Sequence, residues 1–249
     1  MKYEAIIFDV SDTLVEYSPN YAQIYGDRLR SLGFEVSEQK AKEVSKAVNW
    51  AIGKQTQKEQ CGEPNISQDE YTTLLDEAAL LCIINENACR KKHLQALSKL
   101  SIPKQEISII PNAIEVLTTL KNKYRLAIVS NHYPWLMDYL HKCGLSQYFE
   151  SIIISDIVGV AKPNIRIMEI VLEELNLKAE NCLYVGDQPL DVLCSKQAGM
   201  DCAWIVTDES KLPKSIPYKE DYKISSLLDL LNILQIVQPK QNEITDVGA

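Results

Sequence analysis

The sequence lacks the features of several special classes of protein. It has no run of about 18 or more apolar residues, the length of a membrane-spanning helix. Its apolar N-terminal run, residues 5–8, is shorter than the core of a signal peptide. Basic residues number 26 against 34 acidic ones, giving a formal net charge of −8. We therefore expect a cytoplasmic protein that binds neither membranes nor the phosphates of nucleic acids.

Cysteine spacing also excludes some classes. The seven cysteines are odd in number and no two of them form a Cys-x-x-Cys pair, so neither a disulfide framework nor a zinc site is predicted. Free thiols in a reducing compartment are the expected state. Apolar residues make up 46% of the chain and charged residues 24%, which is typical of a globular protein large enough to bury a core.

Two patterns of secondary structure divide the chain. Residues 18–100 are predicted to be nearly all helical, with helix starts at Ser18-Pro19 and at Ser67, which precedes Glu70 with capping-box spacing. Elsewhere, apolar runs alternate with helical segments, which predicts an α/β fold with a mostly parallel sheet. The predicted strands are residues 5–8, 125–129, 151–155, 182–185 and 202–206.

The helical stretch therefore interrupts the α/β domain just after its first strand. We assign residues 1–15 and 108–240 to the α/β core, 16–107 to an inserted helical cap and 241–249 to a flexible tail. Ligands of open parallel sheets bind at the carboxyl ends of the strands. A cap inserted there would cover the binding site.

Polar side chains follow four of the predicted strands, and their chemistry suits phosphoryl transfer. Carboxylates bind Mg²⁺, a lysine balances phosphate charge, and hydroxyls bond the phosphoryl oxygens. Each residue alone also has an ordinary structural interpretation, such as a helix cap. The set is Asp9, Ser11 and Thr13, then Ser130 and Asn131, then Lys162, and finally Asp187 and Asp191.

Four segments in order resemble the motifs of the haloacid dehalogenase superfamily. Residues 9–14, Asp-Val-Ser-Asp-Thr-Leu, resemble motif I, usually Asp-x-Asp-Gly-Thr-Leu. Residues 129–131 resemble motif II, and 160–163 motif III. Residues 185–191 resemble motif IV, Gly-Asp-x-x-x-Asp. The resemblance implies a Rossmann-like core and a C1-type helical cap, and a hydrolase acting on a small phosphorylated metabolite.

The resemblance also implies a role for each matching residue. Asp9 would attack phosphorus and form an aspartyl-phosphate. Asp9, the backbone carbonyl of Ser11, and Asp187 would bind Mg²⁺, with Asp191 in support. Lys162 would hold the phosphoryl group. Three further residues would serve substrate binding: Thr13, Ser130 and Asn131.

Ser11 departs from the motif, because phosphatases of the family carry an acid/base aspartate at this position. General acid catalysis is worth roughly 10²–10⁴-fold, and a serine hydroxyl titrates too high to supply it. Asp12 replaces the usual glycine and tolerates a left-handed turn. The alternatives are a phosphatase for leaving groups that need little protonation, a slow phosphatase or phosphotransferase, a dehalogenase, a phosphonatase using Lys46 or Lys54, and a non-catalytic binding protein.

Specificity is expected to come from the cap. Tyr17, Tyr21, Tyr25 and Arg28 have helical spacing, so Arg28 is a candidate for binding a distal anion of the substrate. Alternatively, the tyrosines pack against the other cap helices. His132 follows motif II and either approaches the leaving group or simply begins a helix.

Overall fold

The structure is a computed structural model that describes residues 2–60, 66–207 and 218–236. The predicted tail, 241–249, and the last residues assigned to the core, 237–240, lie outside this range. In chain order the elements are β1 (Ala5–Phe8), β2 (Val15–Ser18), α1 (Tyr21–Ser31), α2 (Glu38–Gln60), α3 (Gln68–Leu81), α4 (Asn87–Leu97), β3 (Glu106–Ile109), α5 (Ala113–Lys121), β4 (Arg125–Ser130), α6 (Trp135–Lys142), β5 (Ser151–Ile154), α7 (Ser155–Val158), α8 (Arg166–Leu175), β6 (Cys182–Gly186), α9 (Pro189–Gln197), β7 (Asp201–Ile205), β8 (Tyr222–Ile224) and α10 (Leu228–Ile233).

A six-stranded sheet has the order β5-β4-β1-β6-β7-β8, and each of its neighbouring pairs is parallel. β1 lies between β4 and β6 inside the sheet. Its four residues are wholly buried, as expected for a strand that is covered on both faces. The predicted α/β fold with an inserted helical unit is confirmed, and the five predicted strands agree with the structure within one residue.

Alternate residues of β1 enter two cores on opposite faces of the sheet. Ile6 and Phe8 pack in one cluster with apolar residues of α5, α6 and α10. Ala5 and Ile7 pack in the other, chiefly against α8. This two-residue period fixes the register of β1, since a slip of one residue would exchange the two faces.

A two-stranded ribbon stands at the base of the helical insertion and was not predicted. β2 and β3 are antiparallel, with Tyr17 opposite Ile107. Each strand has only four residues and is partly exposed, so its apolar pattern is too short to be distinctive. The helix start predicted at Ser18-Pro19 is displaced: Ser18 ends β2, and Asn20 caps α1 with a capping box.

The helices α1 to α4 share an apolar core of their own, which includes Ile24, Tyr25, Val44 and Leu75. Ser67 accepts a hydrogen bond from the backbone of Glu70 and forms the predicted capping box of α3. Packing between the helices therefore gives this unit an apolar core of its own. Within the described ranges, no helix combines the length and the apolar character needed to cross a membrane.

Candidate active site

The predicted polar residues meet at the carboxyl ends of three adjacent strands. Asp9 follows β1, Ser130 ends β4 and Asp187 follows β6. Since β4, β1 and β6 are neighbours and parallel, their carboxyl ends lie at one edge of the sheet.

Lys162 links the carboxylates at the centre of the site. Its Nζ lies 3.0 Å from Asp9 Oδ1, 2.6 Å from Asp191 Oδ1 and 3.0 Å from the Tyr184 hydroxyl. The lysine is only 5% exposed. Burial alone would lower its pKa, but the charges of Asp191 and Asp9 outweigh burial and hold the pKa well above its ordinary value. Lys162 is therefore a fixed cation beside Asp9.

Three carboxylates form a compact acidic group. Ligand oxygens of Asp9, Asp187 and Asp191 all lie within 4.8 Å of one another. One lysine ammonium balances only one of these charges. Carboxylate oxygens at this separation are the donor set that hard divalent cations take in proteins.

The turn into α9 brings Asp191 to this group. Its Oδ2 accepts the backbone N–H of Gln188 at 2.9 Å, which closes a capping box at the start of the helix. Gly186 makes room for it, because a Cβ at that position would lie 2.4 Å from Asp191 Oδ2. The need for glycine in the Gly-Asp-x-x-x-Asp segment is therefore steric.

The negative charge of Asp187 is disfavoured by its surroundings. Burial raises its pKa well above the ordinary value, and the charges of Asp191, Asp9 and Asp12 raise it further. Its carboxylate accepts hydrogen bonds from Gln188 Nε2 at 2.6 Å and from the Thr13 hydroxyl at 3.4 Å. A bound cation would relieve this repulsion.

The loop after β1 is a tight turn held by its backbone. Asp12 has φ of 56°, in the left-handed region, and its N–H donates to the Val15 carbonyl at 2.7 Å. Aspartate tolerates this conformation better than most residues, so Asp12 replaces glycine at modest cost. Thr13 is wholly buried behind the turn, and Ser11 is partly exposed.

The Asn131 side chain connects the loop after β4 to the loop that carries Lys162. Its Nδ2 donates to the Lys162 carbonyl and its Oδ1 accepts the Lys162 N–H, both at 2.8 Å. The amide is thereby bonded to protein backbone and holds Lys162 in place. Ser130 beside it is 1% exposed.

Arg28, expected to bind substrate, is instead built into the helical unit. Its guanidinium bonds both oxygens of Asp76, at 2.6 and 3.2 Å, and the carbonyls of Leu97 and Leu100. Arg28 is 5% exposed and Asp76 is fully buried. This corrects the prediction for Arg28, because the pair joins α1 to α3 and the end of α4. Of the three tyrosines, Tyr25 and Tyr21 pack in the apolar core of the helical unit, as the alternative expects, whereas Tyr17 packs against the core of the α/β domain.

Tyr184 is a site residue that the sequence did not reveal. It lies within β6, and its hydroxyl donates to the Val129 carbonyl at 2.8 Å while contacting Lys162. A tyrosine inside an otherwise apolar buried strand was the only available signal, because a wholly buried hydroxyl needs a polar partner.

The fold and the site together define an α/β enzyme whose acidic centre, with the buried Lys162, lies at the carboxyl edge of a parallel sheet. Residues 6–205 match the family model described as haloacid dehalogenase-like hydrolase. This match covers most of the chain, and the chain belongs to that family.

Two relatives that are phosphate-hydrolysing enzymes by name agree with membership of this family. A pyrimidine 5'-nucleotidase of Escherichia coli is 31% identical over 50% of this chain and 56% of its own length. A phosphoglycolate phosphatase of Aquifex aeolicus is 27% identical over 92% of this chain and 95% of its own. The matched part of the chain spans a little over half the length of the first of these relatives.

The fold is shared with solved structures. A magnesium-bound HAD hydrolase of Bacillus subtilis superposes with a TM-score of 0.62 at 21% identity. That superposition covers 95% of this chain and 100% of the other.

Proposed function

We propose that this protein is a phosphatase that hydrolyses a small phosphorylated metabolite through a covalent aspartyl-phosphate on Asp9, with Mg²⁺ as cofactor. The observation that carries the proposal is the buried Lys162 ammonium bonded to Asp9 beside the carboxylates of Asp187 and Asp191. The names of the two relatives, a nucleotidase and a phosphoglycolate phosphatase, support phosphate esters as substrates.

The donor set fits Mg²⁺ better than a softer metal. Asp9, Asp187 and the backbone carbonyl of Ser11 would hold the ion, with Asp191 in support, and all of these ligands are oxygen. When bound, the ion supplies positive charge that polarises the phosphoryl group. The raised pKa of Asp187 supports this assignment, since burial and the neighbouring carboxylates both disfavour its charge without a cation.

The protein's own residues then perform two displacements. A carboxylate oxygen of Asp9 bonds to phosphorus while the bond to the leaving oxygen breaks and that oxygen keeps the electron pair. Water next attacks phosphorus, and the Asp9 carboxylate is released with inorganic phosphate. Lys162 orients Asp9 and stabilises the phosphoryl charge. Ser130, at the end of β4, would bond a phosphoryl oxygen, and Thr13, in the loop after β1, would hold that loop.

Ser11 makes one substrate class preferable. Because the chain carries a hydroxyl where related phosphatases carry an acid, we propose aryl phosphates, acyl phosphates and anhydrides, whose leaving groups need little protonation. The intact Asp187–Asp191 pair disfavours a metal-independent dehalogenase. Lys46 and Lys54 are exposed on α2, and Lys54 Nζ lies over the Trp50 ring, so neither is a desolvated Schiff-base lysine for a phosphonatase.

The proposed location is the cytoplasm, and the proposed partner is a small phosphorylated substrate. The described cysteines, which leave out Cys61, are all free thiols, as a reducing compartment favours. The acidic net charge disfavours nucleic acid as a substrate.

The first test is turnover of p-nitrophenyl phosphate and acetyl phosphate with and without Mg²⁺. We expect activity that requires Mg²⁺, is abolished by Asp9→Asn and rises in Ser11→Asp. Asp138→Asn is the matched control, because Asp138 is an exposed carboxylate on α6. A wild type that is inert with both compounds, and still inert after Ser11→Asp, would exclude the phosphatase and point to 2-haloacids or a binding role.

A further inference from the structure

The hydroxyl of Tyr184 contacts three polar groups inside the candidate active site. Its oxygen lies 3.0 Å from Lys162 Nζ, 2.8 Å from the Val129 carbonyl oxygen and 3.3 Å from Asp191 Oδ1. Tyr184 is wholly buried within β6, so water does not compete for these contacts. The ring packs in one of the two apolar cores of the sheet, and the hydroxyl extends from that core into the polar site.

The chemistry of the partners determines the direction of each hydrogen bond. An ammonium group can only donate, so the Tyr184 oxygen accepts a hydrogen bond from Lys162 Nζ. The single hydroxyl hydrogen then goes to the nearer of the two remaining acceptors, which is the Val129 carbonyl and not Asp191. The lone pair that Tyr184 offers to Lys162 is therefore oriented by the backbone of β4.

The Lys162 ammonium has as many acceptors as it has hydrogens. Among the residues that the structure describes, Asp9, Asp191 and Tyr184 accept from its three N–H bonds. Asp9 and Asp191 are carboxylates, and Tyr184 is the uncharged partner. Because Lys162 is buried, an N–H that lost its partner would not readily find water to replace it. Three separate partners thus fix the ammonium in position and in rotation.

The oxygen of Tyr184, more than its ring, makes the contact with Lys162. Nζ lies 3.0 Å from the hydroxyl oxygen and 5.5 Å from the ring centroid. A phenylalanine at this position would keep the packing of the ring but would leave one N–H of the ammonium without an acceptor. The hydroxyl can therefore be tested separately from the apolar core.

Tyr184 also connects two strands that are not neighbours in the sheet. β1 lies between β4, which carries Val129, and β6, which carries Tyr184. The Tyr184 side chain therefore spans β1 to reach the Val129 carbonyl. β1 ends just before Asp9, and Val129 directly precedes Ser130. One hydroxyl thus fixes Lys162 relative to the strands that position Asp9 and Ser130.

We propose that Tyr184 is a positioning residue, which holds the Lys162 ammonium toward the phosphoryl group carried by Asp9. This rests on the proposed phosphatase function. After the first displacement, Asp9 carries the phosphoryl group, so the N–H that reaches Asp9 is the one beside the phosphoryl oxygens. The other two N–H bonds stay with Asp191 and Tyr184. Tyr184 itself touches neither the substrate nor the reacting atoms, and it exchanges no proton.

Tyr184→Phe tests the proposal, because it removes the oxygen and keeps the ring. Trifluoroberyllate with Mg²⁺ is a mimic of the phosphoryl group on an aspartate. We expect its affinity and kcat on p-nitrophenyl phosphate each to fall about 10- to 100-fold, the factor of one hydrogen bond to a charged group. KM should stay within about twofold, since Tyr184 does not touch the substrate. Fluorine-19 NMR titration measures the affinity, and a loss of packing alone would lower Tm without changing that affinity.

Tyr3→Phe is the matched control. Tyr3 is also a buried tyrosine, and its hydroxyl donates to Asp201 Oδ2 at 2.6 Å. That contact lies at the amino ends of β1 and β7, at the opposite edge of the sheet from the candidate active site. The variant loses a buried hydroxyl and its bond to a carboxylate, but Lys162 keeps all of its partners. It should bind trifluoroberyllate and turn over the substrate as the wild type does.

The outcomes separate this proposal from the phosphatase itself. A wild type and a Tyr184→Phe variant that bind trifluoroberyllate equally well would overturn the positioning role and leave the phosphatase standing. A wild type that neither binds trifluoroberyllate nor hydrolyses a phosphate compound would overturn both. A crystal structure of the wild type with Mg²⁺ and trifluoroberyllate needs no variant: Lys162 Nζ should remain within hydrogen-bond distance of the Tyr184 hydroxyl, and an ammonium that had left this hydroxyl would refute the proposal.

Discussion

Lys162 Nζ lies 2.6 Å from Asp191 Oδ1, closer than its 3.0 Å contact with Asp9, and all three side chains are buried. The lysine therefore holds the carboxylate that would support the metal as well as the one that would attack phosphorus. Positioning and charge balance at this site depend on the same ammonium.

Lys162→Met should damage both catalysis and stability. Losing a preorganised cation should lower kcat about 10²–10³-fold. Without metal, it should also lower the free energy of unfolding by about 3–5 kcal/mol, because buried carboxylates lose their partner. Urea unfolding in EDTA and steady-state assays measure the two effects. Lys178→Met, at an exposed lysine, should change neither; equal effects in both variants would contradict the prediction.

Gly186→Ala should weaken the response to Mg²⁺. The new Cβ would displace Asp191, whose carboxylate contacts Lys162 and the Gln188 N–H. We expect a stability loss of about 1–3 kcal/mol and a smaller rise of Tm on adding Mg²⁺. Gly26→Ala is the control. Its Cβ would meet Ala41 at 3.2 Å in the helical unit and not Asp191, so the rise of Tm with Mg²⁺ should be that of the wild type. An unchanged Mg²⁺ response in Gly186→Ala would show that Asp191 is not needed for the metal.

Arg28→Met should destabilise the protein without changing substrate affinity. Breaking the buried pair with Asp76 should cost about 3–5 kcal/mol, and Asp76→Leu should cost a similar amount. The double variant should lose less than the sum, since neither charge is then left alone. KM should stay within about twofold of the wild type. A large rise of KM with unchanged stability would restore Arg28 as a substrate ligand.

The metal-free protein should lose stability as pH rises. The pKa of Asp187 in the folded protein is raised above its ordinary 3.8 by burial and by Asp191. The folded state then binds more protons than the unfolded state, so this contribution is present at low pH and is lost as pH rises toward the folded pKa. Urea unfolding in EDTA at a series of pH values from the ordinary pKa of 3.8 upward measures the decline. Asp187→Asn, or added Mg²⁺, should flatten it; an identical slope in all three would refute the assignment.

Much of the fold could be predicted because its signals are local. The apolar run at residues 5–8 and the capping box at Ser67 each specify an element within a few residues of sequence. The β2–β3 ribbon could not, because two four-residue strands far apart in the chain acquire structure only by pairing.

The site was predictable to the extent that residues follow strand ends. Asp9, Lys162, Asp187 and Asp191 could be chosen because parallel strands place such residues at one edge of the sheet. Tyr184 lies inside a strand, and the sequence could not show that its hydroxyl would reach Lys162.

By itself, the sequence determined the α/β alternation, the helical insertion and the types of residue at the strand ends, because hydrophobic period and chain order are encoded locally. Only the tertiary structure decided which charges meet. It turned Arg28 inward to Asp76 and brought the Tyr17 hydroxyl to His132 from a distant segment. Two charged groups on distant elements meet only when those elements pack together, and no local sequence pattern specifies the distance between such groups.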